Sequence, residues 1–302
     1  MTRLTRSMLF VPAVRWPMIE KAAVSAADAV CLDLEDSVPY DQKAAGRADV
    51  IRAFNELDFG GRVRIFRMNG LDTPFAYRDL VDVVEASGDR IDLVMLPKAG
   101  RPRDVEFVET LLRQIGAAHI GIEAQIETAS GFLYAREIAQ SSPRLEALIF
   151  GPGDYSASMQ MPSSSIGELD AHDELYPGHR WHAVMHTIVA AARANGLRAM
   201  DGPFAAFKEA AAFERSARIA RVMGFDGKQC IHPTQLEAAN HLFSPTAEEA
   251  SHAERVVQAY ELAVANGRGA VNLDGRMIDA ANIRMARMVL ERKKLGEDRK
   301  LG

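Results

Sequence analysis

The strongest constraint on the fold is an alternation that runs through most of the chain. Short continuous apolar runs, rich in Val, Ile and Leu, each give way to turn-making residues and then to a stretch with helical periodicity. Eight runs can be read: Met8–Pro12, Ala29–Asp36, Val63–Asn69, Leu93–Lys98, Ile120–Glu127, Ala147–Asp154, Leu197–Pro203 and Gly227–Pro233. Unbroken rather than alternating apolarity is the mark of strands buried on both faces, as in a parallel sheet covered by helices. Helical periodicity fills the gaps, for example at Trp16–Ala27, Asp104–Ile115, Ala129–Ala139, His182–Ala194 and Phe204–Met223, with stop signals at Asn195-Gly196 and Gly224. Eight units predict a closed (β/α)8 TIM barrel rather than an open doubly wound sheet. A dinucleotide-binding sheet would carry a glycine-rich turn after its first strand, but Val11-Pro12 is followed by Ala13-Val14-Arg15.

After Pro233 the alternation stops. Two long helical stretches, Pro245–Asn266 and Asp279–Arg292, flank a glycine-containing segment, Gly267–Met277. The expected organisation is therefore a catalytic barrel over residues 1–240 and a C-terminal helical extension over 241–302, acting as a lid or reaching a neighbouring subunit. The net charge of -5 is dispersed, with a short basic cluster only at Arg292, Lys293 and Lys294, which argues against nucleic-acid binding. No apolar stretch approaches the length of a membrane span, and the run Met8–Val14 is interrupted by Pro12 and cut off by Arg15, which makes it a poor signal peptide. Cys31 and Cys230 lie inside apolar runs, where a thiol serves as a small buried hydrophobe, consistent with a reducing cytoplasm.

Active sites of such barrels gather at the C-terminal strand ends. Those ends carry Asp33, Glu35 and Asp36, then Arg67, Lys98, Glu127, Asp154, Asp201 and His232. A polar residue at one strand end is ordinarily a solvated loop start; carboxylates and cations converging on one rim make a site. Glu127 and Asp154 end neighbouring runs, and hard oxygen ligands with no His or Cys suit Mg²⁺ better than zinc. Asp33, Glu35 and Asp36 suit the support of metal-bound water or of nearby basic residues, and Asp36 equally suits capping or solvation. Arg67 is placed to stabilise an oxyanion without losing its proton, or to pair with the acidic strand end beside it; the two roles are compatible.

Several stretches, including RSMLFVPAVRWPMIEKAA, DAVCLDLEDSVP, FRMNGLDTPF, VMLPKA, EAQIETASG, ALIFGPGDYSASM, RAMDGPF, GFDGKQCIHPTQ and GRMID, resemble the citrate lyase β-subunit-like branch of the HpcH/HpaI aldolase superfamily, and within it the malyl-CoA and β-methylmalyl-CoA lyases. The resemblance runs from Arg6 to about Arg287. It implies a Mg²⁺-dependent barrel enzyme that splits a 3-hydroxyacyl-CoA into a shorter acyl-CoA and an α-oxo acid, glyoxylate or pyruvate, and runs the condensation in reverse. On this resemblance Glu127 and Asp154 match the metal ligands, and Arg67 matches an arginine facing the thioester and oxo-acid oxygens. Phe10, Arg15, Lys21, Gly153 with Asp154, and Ile231 with His232 match positions that contact the CoA substrate. Asp279 matches a lid aspartate taken as acid/base that reaches the site of an adjacent subunit, which implies a homo-oligomer, trimer or hexamer. A citramalyl-CoA lyase or a malyl-CoA thioesterase on the same scaffold, and a citrate lyase β-like component, remain alternatives. The long loop after the sixth run varies among the lyases; its Tyr176, His179, Arg180, Trp181 and His182 suit either the substrate pocket or plain loop-to-helix packing. GKQCIHP stands where GKWAIHP is common, a change that removes no charged group.

Overall fold

The computed structural model describes residues 3–162, 165–174 and 179–301. It divides into two compact units, Thr5–His241, and Leu242–Gly302 with Met1–Leu4. The larger unit is a closed barrel of parallel strands in sequence order: β1 (Ser7–Pro12), β2 (Ala29–Asp33), β3 (Val63–Arg67), β4 (Leu93–Leu96), β5 (Gly121–Ile126), β6 (Leu145–Phe150), β7 (Arg198–Asp201) and β8 (Gly227–Cys230). β8 closes on β1 through the registers Ser7 to Lys228 and Leu9 to Cys230. Residues alternate across each strand. One set, including Met8, Cys31, Ile65, Met95, Ile149 and Met200, packs into a buried cluster. Cys31 and Cys230 are free and buried, as expected of thiols in apolar runs, and burial pushes the Cys230 thiol up to about 12.

Seven of the eight apolar runs overshoot their strands, because the residues past the last ladder hydrogen bond turn into the rim loops; the first ends with β1 at Pro12. The difference matters most at Asp154. It does not end β6 but sits in the first turn of the helix Pro152–Ser158, where Pro152 supplies the preset φ of a helix start. The stretch Phe204–Met223 is helical only over Ala210–Met223, because the backbone before it is tied elsewhere: Ala205 N–H donates to Ile166 and the Phe204 carbonyl accepts from Gln235. Ala129–Ala139 divides at Tyr134 into Ala129–Leu133 and Ala135–Ile138. His182–Ala194 is helical throughout, as the periodicity predicts.

The C-terminal unit pairs the helix Ala247–Ala265 with the helix Ala280–Leu301. Thr246 and Glu249 form a reciprocal capping box at the start of the first. The glycine-containing link is not simply a loop: Val271–Leu273 and Arg276–Ile278 pair antiparallel, and Ile278 packs with Ala253, Val256 and Ala286. No helix among the described residues is long and apolar enough to cross a membrane.

Candidate active site at the barrel rim

The site begins with a buried pair at the ends of β2 and β3. Asp33 and Arg67 occupy the same register, and the carboxylate accepts Nε at 2.6 Å and Nη2 at 2.8 Å, a bidentate clamp that fixes the guanidinium plane. Asp33 also accepts from the Glu35 backbone at 3.0 Å and the Ser37 hydroxyl at 2.5 Å. Burial works against its charge, yet Arg67 and these donors hold its carboxyl below the usual range. Arg67 lies over the Phe10 ring at 5.3 Å and is itself held charged by Asp33, Glu35 and Glu127 despite its burial. Asp33 takes two of its five N–H donors and Glu35 contacts Nη1 at 2.8 Å, which leaves others on Nη1 and Nη2 for a ligand.

Glu35 is the next link. One of its oxygens faces Arg67 and the other accepts from the Lys98 ammonium. Burial, helped by the adjacent Asp36 carboxylate, still pushes it up to about 7. Lys98 follows β4 in the left-handed region at φ 51°, an uncommon conformation for a residue with a side chain. That turn aims two groups at once. The backbone N–H donates to Glu127 Oε1 at 2.8 Å, while the ammonium lies 3.5 Å from Asp36 and 3.7 Å from Asp154.

Glu127, just past β5, is 1% exposed. Its second oxygen accepts from Gln125 Nε2 at 3.0 Å. A Cβ at Gly151 would fall 2.1 Å from that oxygen, so only glycine lets the end of β6 pass so close to the carboxylate. Burial, with Glu35 and Asp154 nearby, pushes Glu127 up to about 8. Asp154 is more open, its side chain 39% exposed.

Charge does not balance here. Asp33, Glu35, Asp36, Glu127 and Asp154 face two side-chain cations, Arg67 and Lys98, and two buried carboxylates, Glu35 and Glu127, are the ones driven toward neutrality. A divalent cation between Glu127 and Asp154 would remove that frustration, and an all-oxygen donor set suits Mg²⁺. Among the described residues no three His, Cys, Asp or Glu side chains form a complete cage, so such an ion would fill its shell with water and substrate, as Mg²⁺ commonly does.

Comparison with known proteins shows the family. The model of the HpcH/HpaI aldolase/citrate lyase family matches residues 6–233. The chain belongs to that family. It is 40% identical to an L-malyl-CoA/beta-methylmalyl-CoA lyase of Cereibacter sphaeroides, over 97% of this chain and 96% of the relative. It is 37% identical to a (3S)-malyl-CoA thioesterase of the same species, over 94% of this chain and 93% of the relative. Among solved structures, the protein CitE from Mycobacterium tuberculosis in complex with magnesium, acetoacetate and coenzyme A superposes with a TM-score of 0.75 at 30% identity, covering 95% of this chain and 97% of that one.

In this family member the remaining sequence candidates separate by place. Phe10 belongs to the cluster through Arg67. Arg15 and Lys21 stand exposed at the start and in the last turn of the helix Trp16–Ala23, after β1. Ile231 and His232 follow β8, the strand paired with β1; their N–H groups donate to Gln235, and the His232 ring stacks on Phe207 at 4.5 Å. Asp279 lies in the C-terminal unit, where Oδ1 caps the last helix by accepting the Ala281 N–H at 2.8 Å. Of the long-loop residues, Tyr176 falls outside the described residues. Trp181 is buried and donates to Ser156, and Arg180 is locked onto Asp173, so both serve packing.

Sequence reasoning passed over Gln125 and Gly151 and left Lys98 as one polar strand end among many. Gln125 was findable, since position i−2 on a strand shares the face of Glu127. The turn that gives Lys98 its double role leaves no mark in the sequence.

Proposed function

We propose that this chain is a Mg²⁺-dependent carbon–carbon lyase that cleaves a 3-hydroxyacyl-CoA such as (S)-malyl-CoA or β-methylmalyl-CoA to acetyl-CoA or propionyl-CoA plus glyoxylate, and catalyses the reverse condensation. The observation that carries this reading is the charge-frustrated pair Glu127 and Asp154 beside an arginine clamped in one plane. Identity with malyl-CoA lyases over nearly the whole chain supports the substrate class.

Glu127 and Asp154 would hold the ion, which would supply Lewis-acid stabilisation to the oxo-acid half of the substrate. Cleavage needs the hydroxyl proton removed, the bond between the hydroxyl-bearing carbon and the carbon next to the thioester broken, and its electron pair accepted at the thioester carbonyl. Arg67 directs its spare N–H donors at that developing enolate oxygen; because Asp33 and Glu35 fix its plane beforehand, little reorganisation is needed during reaction. Glu35 and Asp36 act through Arg67 and Lys98. Asp279, carried on the C-terminal lid of an adjacent subunit, takes the hydroxyl proton, and a proton returned to the enolate carbon completes acyl-CoA. Closure of the lid excludes water that would hydrolyse the thioester. Phe10, Arg15, Lys21, Gly153, Ile231 and His232 bind the CoA substrate. The reading includes a cytoplasmic homo-oligomer, trimer or hexamer.

The test is to incubate the protein with Mg²⁺, glyoxylate or pyruvate, and acetyl-CoA or propionyl-CoA, and to identify products by mass. A 3-hydroxyacyl-CoA is expected. If malyl-CoA instead yields free CoA and malate with no oxo acid, the reaction is hydrolysis, the alternative that identity to the malyl-CoA thioesterase supports.

A further inference from the structure

The loop that follows the helix Pro152–Ser158 returns one apolar side chain to the rim. Ile166 is 45% exposed, although it is a large hydrophobe. It packs on Gly153, the residue immediately before Asp154: a Cβ at Gly153 would lie 3.3 Å from both Ile166 Cδ1 and Cγ1. The backbone that presents it is pinned from two sides. Its carbonyl accepts the Ala205 N–H at 3.0 Å. The next residue, Gly167, is left-handed at φ +78°, and a Cβ there would fall 2.2 Å from the Pro203 carbonyl oxygen. Farther along, Arg180 ties the loop to itself through Asp173, by Nε at 3.0 Å and Nη2 at 2.8 Å, and through Asp170. A half-exposed isoleucine on so restrained a segment has a fixed position, which is what a specificity wall needs.

We infer that Ile166 is the side chain that sets which α-oxo acid the site accepts, favouring glyoxylate over pyruvate. This rests on the proposed lyase reading. There the oxo-acid oxygens gather at Glu127, just past β5, and Asp154, in the helix after β6, whereas the CoA-substrate contacts other than Gly153 lie on β1, at and in the helix that follows it, and after β8. A wall against Gly153, one residue before Asp154, therefore lies next to the oxo-acid end, and the acyl-CoA ratio below tests whether the acyl chain meets it as well. Glyoxylate carries hydrogen where pyruvate carries methyl, and a branched side chain packed on Gly153, the residue before Asp154, would take the space that methyl needs. One methyl group in an apolar pocket is worth roughly 10- to 200-fold in discrimination.

The variants are Ile166→Ala and Ile166→Phe; the position is half exposed on a loop, and thermal melting checks that both fold. With acetyl-CoA as co-substrate, Ile166→Ala is expected to raise the pyruvate-to-glyoxylate ratio of kcat/KM by about 10-fold or more. Ile166→Phe is expected to lower it. The acetyl-CoA-to-propionyl-CoA ratio with glyoxylate should stay within about twofold, since that end of the substrate is elsewhere. Calorimetric Kd values for pyruvate and glyoxylate, measured with Mg²⁺ and no acyl-CoA, should move in the same direction. An unchanged oxo-acid ratio in both variants, or a change confined to the acyl-CoA ratio, overturns the inference. If the wild type forms no carbon–carbon bond, the lyase reading fails, and the calorimetric ratio still decides the role of Ile166.

Discussion

Two clusters of buried charge sit at opposite ends of the same barrel, and they are built differently. At the floor, Arg198 at the start of β7 reaches Glu123 at 3.0 Å, Glu146 at 3.3 Å and the Thr5 hydroxyl at 2.9 Å. At the rim, Asp33 and Glu35 hold Arg67 just as firmly, but among the described residues Glu127 has no side-chain cation within salt-bridge distance and Asp154 has only Lys98, at 3.7 Å. The floor cluster sets one cation against two carboxylates, Glu123 fully buried and Glu146 27% exposed. The rim cluster carries surplus negative charge and opens to solvent through Asp36 and Asp154, exposed at 56% and 39%. The lesson is that burial of charge alone does not mark a site. Unmatched charge at the C-terminal strand ends does, which fits the division of barrels into a stabilising floor and a working rim.

The contrast breaks if the two ends respond alike. The largest effect expected is on turnover: Asp154→Ala or Glu127→Gln should lower Mg²⁺-dependent activity by about 100- to 1,000-fold while leaving the melting temperature of the metal-free protein nearly unchanged. Activity retained in both variants would remove the rim from the chemistry. At the floor the same kind of change should act on the fold. Arg198→Ala removes the cation that faces the buried Glu123 carboxylate at 3.0 Å and should cost about 3–5 kcal/mol in denaturant unfolding. Normal stability in that variant would refute the structural role.

Metal addition sharpens the comparison further. Mg²⁺ at roughly a hundredfold excess over its Kd should stabilise the wild type by about 2.7 kcal/mol, and the gain should vanish in Glu127→Gln. A gain that survives there places the ion elsewhere. The smallest effect concerns the loop beyond the rim. Burial opposes the charge on Asp173, but Arg180 and backbone donors hold its carboxyl down at about 2. Because the folded value lies below the unfolded one, this contribution is present above the unfolded pKa and is lost as pH falls from about 4 through 2. Asp173→Asn should flatten the acid limb of the unfolding curve slightly; an unchanged limb would show that the pair contributes nothing.

Much of this was legible before any coordinates. Continuous apolar runs specify strands buried on both faces, and their number specifies closure, because both properties follow from local composition and count. Glu127, Arg67 and the acids after β2 were findable for the same reason: they stand at or just past strand ends. The hairpin of Val271–Leu273 and Arg276–Ile278 was missed because three-residue strands carry too few residues to show a period, and Asp154 was misplaced on a strand because Gly151-Pro152 starts a helix within an apolar run.

What the sequence by itself determined is the barrel, the order of its strands and the chemical types present on its rim, all of which follow from periodicity and from residue identity. Only the tertiary structure decided which charges meet. Lys98 reaches Glu35, Asp36 and Asp154 through one left-handed backbone turn, Gly151 makes room for Glu127, and Ile166 arrives on Gly153 from a distant part of its loop. Pairing, desolvation and close packing depend on distances between residues far apart in the chain, and those distances exist only once the strands have closed.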